Sequence, residues 1–260
     1  MLPKILKPFH SDKSNLVRIG PKKDGGYVID KRVIEKSEVI ITCGLNDDWE
    51  FEKDFLNKNN SSRVEAYDHT VDRHFWLNRF KKDFIAFLLL KKITPRQILD
   101  IFKYVSYLNF FKGKNKHHIK KIVSHKNDEN NQATISEAIG SNENIILKID
   151  IEGDEFKILE EIDKNLDKIN LLIIEFHDMQ KNLKKVENFI KNTKLKNIHI
   201  TANNYGMLDE KGIPQVIEMT LINPKKFEIT DERSKRNYPI EGLDFKNRKR
   251  GPDIELKFNE

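Results

Sequence analysis

The sequence predicts an α/β fold: a doubly wound, mostly parallel sheet with antiparallel C-terminal strands and a helical insertion. Three observations predict it. Apolar, β-branched runs of strand length alternate with stretches of helical spacing along most of the chain. The successive runs end in Gly44, Asp68, Asp150 and His177, which gathers polar groups at the sheet edge where open α/β sheets bind ligands. Near the C-terminus the pattern changes to partly alternating segments, as in antiparallel strands.

Leu16 to Ile19 reads as a short strand, and Asp24-Gly25-Gly26 turns the chain into the apolar Tyr27-Val28-Ile29. That turn is either a hairpin tip or a loop that lets a ligand approach the backbone. The local pattern favours the hairpin. Glu38 to Gly44 is the first buried strand. A helix is expected to start at Asp47 or Asp48 as N-cap, with Trp49, Phe51, Phe55 and Leu56 on its apolar face. Strand, glycine turn and helix start place backbone N–H groups against a nucleoside. Without G-x-G-x-x-G, a dinucleotide pyrophosphate is poorly provided for. Arg63 to Asp68 is the second strand. Its terminal acid, 24 residues after Gly44, suits a pair of ribose hydroxyls.

Residues 71–112 read as two or three inserted helices rich in aromatics (Phe75, Trp76, Phe80, Phe84, Phe87, then Ile98, Phe102, Val105, Leu108), with Pro95 opening one after Thr94. Core packing is their ordinary explanation; a lid, a dimer face or an interfacial membrane contact are the others. His118 to His125 is expected as a third strand, Asn127 to Asn131 as a loop, and Thr134 to Ile139 as a short helix. Ile145 to Leu159 then supplies a buried strand, the acids Asp150, Glu152, Asp154 and Glu155 around Gly153, and a helix from Asp154 to about Asn165. Acids in a first helical turn suit its positive end. Leu171 to His177 is a fifth strand and Met179 to Lys191 a helix. Lys196 to Ala202, Val216 to Ile222 and Pro252 to Phe258 follow as strands. Residues 223–250 link the last two over a rim, so 223–260 forms a rim loop and strand within a single domain of residues 1–260.

With 38% hydrophobic and 34% charged residues, the composition is that of a protein with a heavily charged surface. A net charge of +6 favours acidic partners, but the basic residues are scattered and indicate no specific nucleic acid. One cysteine, Cys43, excludes an intramolecular disulfide framework and a cysteine-based zinc site. Together with the lack of a signal-like start, this leads us to expect a cytoplasmic protein. A peripheral membrane contact or a homodimer through the insertion stays open.

C-G-L-N-D, V-E-A-Y-D, L-K-I-D-I-E-G-D-E-F and L-L-I-I-E-F-H, with D-G-G-Y-V before them, resemble the FkbM-type S-adenosylmethionine-dependent methyltransferases over roughly residues 20–222. The resemblance implies a Rossmann-like class I methyltransferase fold and S-adenosyl-L-methionine as cofactor. It also implies that Gly44 and Asn46 line the methionine end, Asp68 holds the ribose, and Asp150 faces the junction of cofactor and acceptor. The implied reaction is O-methylation of a sugar or other small-molecule or glycan hydroxyl. An alcohol acceptor needs a proton acceptor close by. His177, at a strand end beside Glu175 with a reference pKa of ~6.5, is the candidate base, with Asp150 and Glu152 beside it. A Mg²⁺ or Mn²⁺ held by Asp150, Glu152 and His177 is the chemical alternative; the metal-free base is favoured and no metal is expected. The competing readings are a nucleotide-sugar or NAD-using Rossmann enzyme, and a non-catalytic basic module binding anionic lipid or RNA.

Overall fold

The computed structural model describes residues 1–89, 101–126 and 131–259. The expected helix start at Thr94-Pro95, Ile98 and most of the Asn127 to Asn131 loop lie outside them. Eleven strands are described: β1 (Leu16–Ile19), β2 (Tyr27–Asp30), β3 (Val39–Cys43), β4 (Arg63–Tyr67), β5 (Lys116–Ile119), β6 (Ile122–Val123), β7 (Gln132–Ala133), β8 (Ile145–Ile149), β9 (Ile169–Phe176), β10 (Lys196–Ala202) and β11 (Ile217–Ile222). Seven of them form one sheet in the order β10-β11-β9-β8-β3-β4-β5. Only β11 runs against its neighbours, pairing antiparallel with both β9 and β10. β3, β8 and β11 are buried at every position and β9 along all eight, as strands covered on both faces must be.

The order doubles back beside β3. The chain builds outward through β4 and β5, then returns to place β8 on the other side of β3. The crevice beyond the strand ends at such a switch point is where a ligand fits. The register sharpens the crevice: Cys43 lies opposite Tyr67 on one side and Ile149 on the other. Gly44, Asp68 and Asp150 therefore leave the sheet side by side.

β1 and β2 form the expected antiparallel hairpin with Asp24-Gly25-Gly26 near its tip. The helix Glu50–Lys58 buries Phe51, Phe55 and Leu56 as expected. Its N-cap is Trp49, not an aspartate; Asp48 instead accepts the Glu50 N–H at 2.9 Å. The insertion supplies helices Arg73–Leu88 and Lys103–Phe111 between β4 and β5. Trp76, Tyr107 and Phe110 pack into the core, whereas Leu77, Phe80, Phe84 and Phe87 remain exposed. No described helix is long and apolar enough to cross a membrane.

Three further expectations are corrected. The strand expected over His118 to His125 is two pieces: β5 ends at Ile119, where Lys121 turns its N–H back onto the Ile119 carbonyl at 2.8 Å, and β6 pairs with β7 outside the main sheet. Pro252 to Phe258 is no strand. Its alternation is real, with Ile254 and Leu256 buried, but it makes only isolated bridges from Leu256 to Tyr238 and from Phe258 to Leu2. The helix expected from Asp154 is a 3₁₀ turn, Glu155–Lys157, followed by the short helix Leu159–Lys164. Glu152 and Gly153 both have positive φ, and the Glu155 carboxylate accepts the Gly153 N–H at 3.0 Å, which shapes that entry.

A buried ion pair ties the sheet to a helix. Lys148, the fourth of the five residues of β8, places its ammonium 3.7 Å from Glu52 of the helix Glu50–Lys58. Thr42 donates to the same Glu52 oxygen at 2.6 Å, and the Lys148 ammonium stands 5.4 Å from the Tyr27 ring centroid. Burial opposes the Lys148 charge, but the carboxylates of Glu52, Asp150 and Asp48 outweigh it and raise its pKa. Removing one partner of such a pair strands the other charge in the interior. Lys148→Ala is expected to cost ~3–5 kcal/mol in urea unfolding, while the double change Lys148→Met with Glu52→Leu should unfold near or above wild type. Equal losses in the single and double variants would contradict the pairing.

Candidate active site

A cavity of about 1020 Å³ opens beyond the carboxyl ends of β3, β4 and β8, at the upper end of the ~300–1,000 Å³ usual for small-molecule sites. Gly44, Asn46, Asp68, Asp150 and Glu152 line it, as does Asp24 from the β1–β2 hairpin. Four of the residues expected around a cofactor, Gly44, Asn46, Asp68 and Asp150, thus share one space.

The glycine turn is held from both sides. Gly44 has φ +87° and donates its N–H to the Tyr67 carbonyl at 3.0 Å, while Asp150 donates to the Cys43 carbonyl at 2.9 Å. A Cβ on Gly44 would stand 1.7 Å from the Asp150 carbonyl oxygen. Only glycine permits both the φ and the approach. Beyond it, one Asp68 oxygen accepts the N–H groups of Leu45 and Asn46 at 2.9 and 2.8 Å. The other accepts the Thr70 N–H and hydroxyl at 2.8 and 2.6 Å. Burial alone would raise the Asp68 pKa, but these bonds, led by the Thr70 hydroxyl, keep it below the ordinary value. The four donors occupy about all the acceptor sites a carboxylate has. In this structure Asp68 therefore braces the loop. The insertion reinforces the same corner: Tyr107 bonds one ring nitrogen of His118, whose other nitrogen lies 2.8 Å from the Asp68 carbonyl. Arg79 and Lys103 both pair with Asp47.

The second half of the site is acidic. His177 follows β9 and points Nε2 towards three carboxylates: Glu152 at 3.4 Å, Glu175 at 3.5 Å and Asp150 at 4.0 Å. Behind the ring, Nδ1 lies 2.8 Å from the fully buried Glu155. Asp150 and Glu152 line the cavity and His177 stands against them. Burial works to lower the His177 pKa, but the Glu155 hydrogen bond and the charges of Glu155, Asp150 and Glu152 win and raise it. Asp150 is pushed up to about 6, mainly by burial, with Lys148 and His177 working against the rise. Burial and the Asp150 charge drive Glu175 well above the usual range. Glu218, directly opposite Glu175 in the β9–β11 register, is raised to about 8, mainly by burial.

Sequence reasoning placed Asp150, Glu152 and His177 together, and the structure does so too. It missed Glu155, taken for a first-turn helix acid, and gave no role to Glu175 or Glu218. A signal existed for the last two, since each is the lone charged residue in a strand that is otherwise mostly apolar. For Glu155 there was none, because its burial depends on His177 arriving from another strand.

Residues 96–197 match the family model described as Methyltransferase FkbM domain. The sheet agrees with it: mostly parallel with one reversed strand, as in class I methyltransferases. S-adenosylmethionine is the methyl donor of such a domain. No match was found among curated proteins. Among solved structures, the chain is similar to a precorrin-6y C5,15-methyltransferase from Geobacter metallireducens GS-15 (11% identity, 72% of this chain and 81% of that one, TM-score 0.37). It is similar to a putative rRNA-methylase from Clostridium thermocellum (10% identity, 78% and 93%, TM-score 0.39). It is also similar to methyltransferase FkbM from Methylobacillus flagellatus KT (14% identity, TM-score 0.38), where 71% of this chain spans 44% of that one.

The close approach at Gly44 can be tested against a second glycine. Gly44→Ala meets both a left-handed φ and a backbone oxygen, so it should cost well over ~2 kcal/mol or prevent folding. Gly153→Ala, at φ +109° with nothing within 4 Å of the added carbon, should cost only the ~1–3 kcal/mol of backbone strain. Thermal or urea unfolding of the two variants decides it; equal losses would mean that contact with Asp150 contributes nothing.

Proposed function

We propose that this chain is an S-adenosylmethionine-dependent O-methyltransferase acting on a sugar or glycan-type hydroxyl. The observation that carries the reading is the pairing, at one switch point, of a glycine-turn cradle with an imidazole flanked by carboxylates. The residues suit the cofactor. Gly44 lets the ends of β3 and β8 close on each other, which draws Asn46, Asp68 and Asp150 into one cavity wall. The cofactor carries a sulfonium and an ammonium, and Asp150, Glu152 and Asp24 give the cavity the opposite charge. Lys23, Arg79 and Lys103, paired with Asp48 and Asp47, line the same cavity and supply cations for its carboxylate.

When bound, S-adenosylmethionine supplies a methyl group on a positively charged sulfur. The chain does the rest. Gly44 and Asn46 hold the methionine end, and Asp68 either fixes the loop or exchanges its loop bonds for ribose hydroxyls. Asp150 lies between the cofactor's place and the acceptor's. The acceptor hydroxyl sits beside Asp150 and Glu152, where His177 takes its proton as the oxygen forms its bond to carbon. Holding the reactants in line can supply ~7–11 kcal/mol of the barrier, so the proton step is a second contribution rather than the whole of catalysis.

Two outcomes follow. Asp68→Ala should weaken S-adenosylmethionine binding by ~1.5–3 kcal/mol in calorimetry, through the ribose or the loop it braces; unchanged affinity in a folded variant removes Asp68 from the cofactor site. His177→Ala should lower turnover on a hydroxyl acceptor by ~10²–10⁴-fold with cofactor affinity near wild type. Full turnover in that variant would take the proton step away from this cluster.

A further inference from the structure

His177 presents an arrangement that serves a general base and a metal ligand equally. Its Nδ1 is engaged by Glu155 at 2.8 Å, an acid fully buried behind the ring. With the proton on Nδ1, the Nε2 lone pair is directed into a space bounded by other carboxylates. Glu175 is held there by the Asn203 side-chain amide at 3.2 Å and is almost wholly buried. Asp150 completes the group: one donor atom each from Asp150, Glu175 and His177 lies within 4.8 Å of the others. A carboxylate behind a histidine is the outer-shell partner that fixes the tautomer and raises ring basicity in metal sites.

Resting on the methyl-transfer reading above, we propose that Asp150, Glu175 and His177 Nε2 hold a divalent cation of the Mg²⁺ or Mn²⁺ class that seats the acceptor hydroxyl. Two carboxylates and one imidazole make an oxygen-rich donor set of that class. Donors on opposite sides of such an ion stand ~4.2 Å apart, twice its bond length, and Nε2 already lies 3.5 Å from Glu175 and 4.0 Å from Asp150. Glu152, 3.4 Å from Nε2 and exposed at the cavity rim, stays outside the ligand set. Three protein ligands leave about half of an octahedron for water and acceptor oxygens, which suits neighbouring hydroxyls on a sugar ring.

The cation changes only how the proton is lost. The imidazole becomes a ligand, and the metal lowers the pKa of the hydroxyl bound to it. The acceptor O–H bond breaks and its proton passes to Glu152 or water. The oxygen forms the new C–O bond, the C–S bond breaks, and sulfur keeps that electron pair. Atoms and charge balance without an oxidant or reductant.

The experiment is a Mn²⁺ titration of the chelator-treated full chain, with free Mn²⁺ read by electron paramagnetic resonance, and S-adenosylmethionine binding measured separately by calorimetry. One saturable Mn²⁺ site per chain is expected, competed by Mg²⁺. Asp150→Asn and Glu175→Gln should abolish it, and Glu155→Gln should weaken it ~10–100-fold by releasing the ring. Glu160→Gln, on an exposed helix face, should leave it unchanged, and thermal unfolding identifies any variant that has lost its fold. If Glu175→Gln fails to fold, Asp150→Asn and Glu155→Gln still decide. No saturable site in the wild type, or the same affinity in all variants, overturns the proposal. Cofactor binding without Mn²⁺ binding defeats the metal and spares the methyltransferase; Mn²⁺ binding without cofactor binding does the reverse.

Discussion

The structure depends on how closely the ends of β3 and β8 approach each other. Gly44 lies against the Asp150 carbonyl with no room for a side-chain carbon. That contact brings the last residues of two adjacent parallel strands into one wall, and the register of β4 adds Asp68 to it. Everything placed at the crevice inherits its position from these three strand ends. A side chain at 44 would push β8 away and take Asp150, Glu152 and Glu155 with it. The cradle and the acidic cluster are therefore one mechanical unit.

Charge is the second constraint. Asp150, Glu152, Glu155 and Glu175 crowd near one imidazole, and Glu218 faces Glu175 from β11. Lys148 is the ammonium buried closest in sequence to them, and it is committed to Glu52. The strain appears in the raised pKa of Asp150 and Glu175, whose main cause is burial with little compensating charge. A fold that only needed a stable sheet would gain by replacing these acids with apolar residues, because buried charges are costly unless paired. Keeping them makes sense where a cationic group enters, and both a sulfonium and a divalent ion qualify.

The insertion has two faces with different duties. Its inner face joins the site through Tyr107 and His118 to Asp68, and through Arg79 and Lys103 to Asp47. Its outer face leaves Leu77, Phe80 and Phe84 in solvent. Aromatic spacing alone could not distinguish the two, since a packed and an unpacked helix face share one periodicity.

The sequence by itself determined the elements and their ends. Runs such as Ile145 to Leu147 and Leu171 to Ile174 are apolar at every position, and such runs become buried parallel strands in almost any arrangement. The polar residue closing each run then marks the sheet edge that borders the cavity, which is why Gly44, Asp68, Asp150 and His177 were legible as a group. Tertiary structure alone decided what those residues touch. Pro252 to Phe258 alternates like a strand but makes only isolated bridges, to Tyr238 and Leu2. Glu155 has the local setting of a helix-start acid, yet it is buried beneath a histidine 22 residues away. Asp68 has the position of a ribose acid, yet its oxygens hold the glycine loop. Short-range periodicity reports which side of an element is apolar; which polar group meets another depends on strand order and register, and those emerge only when the whole sheet has closed.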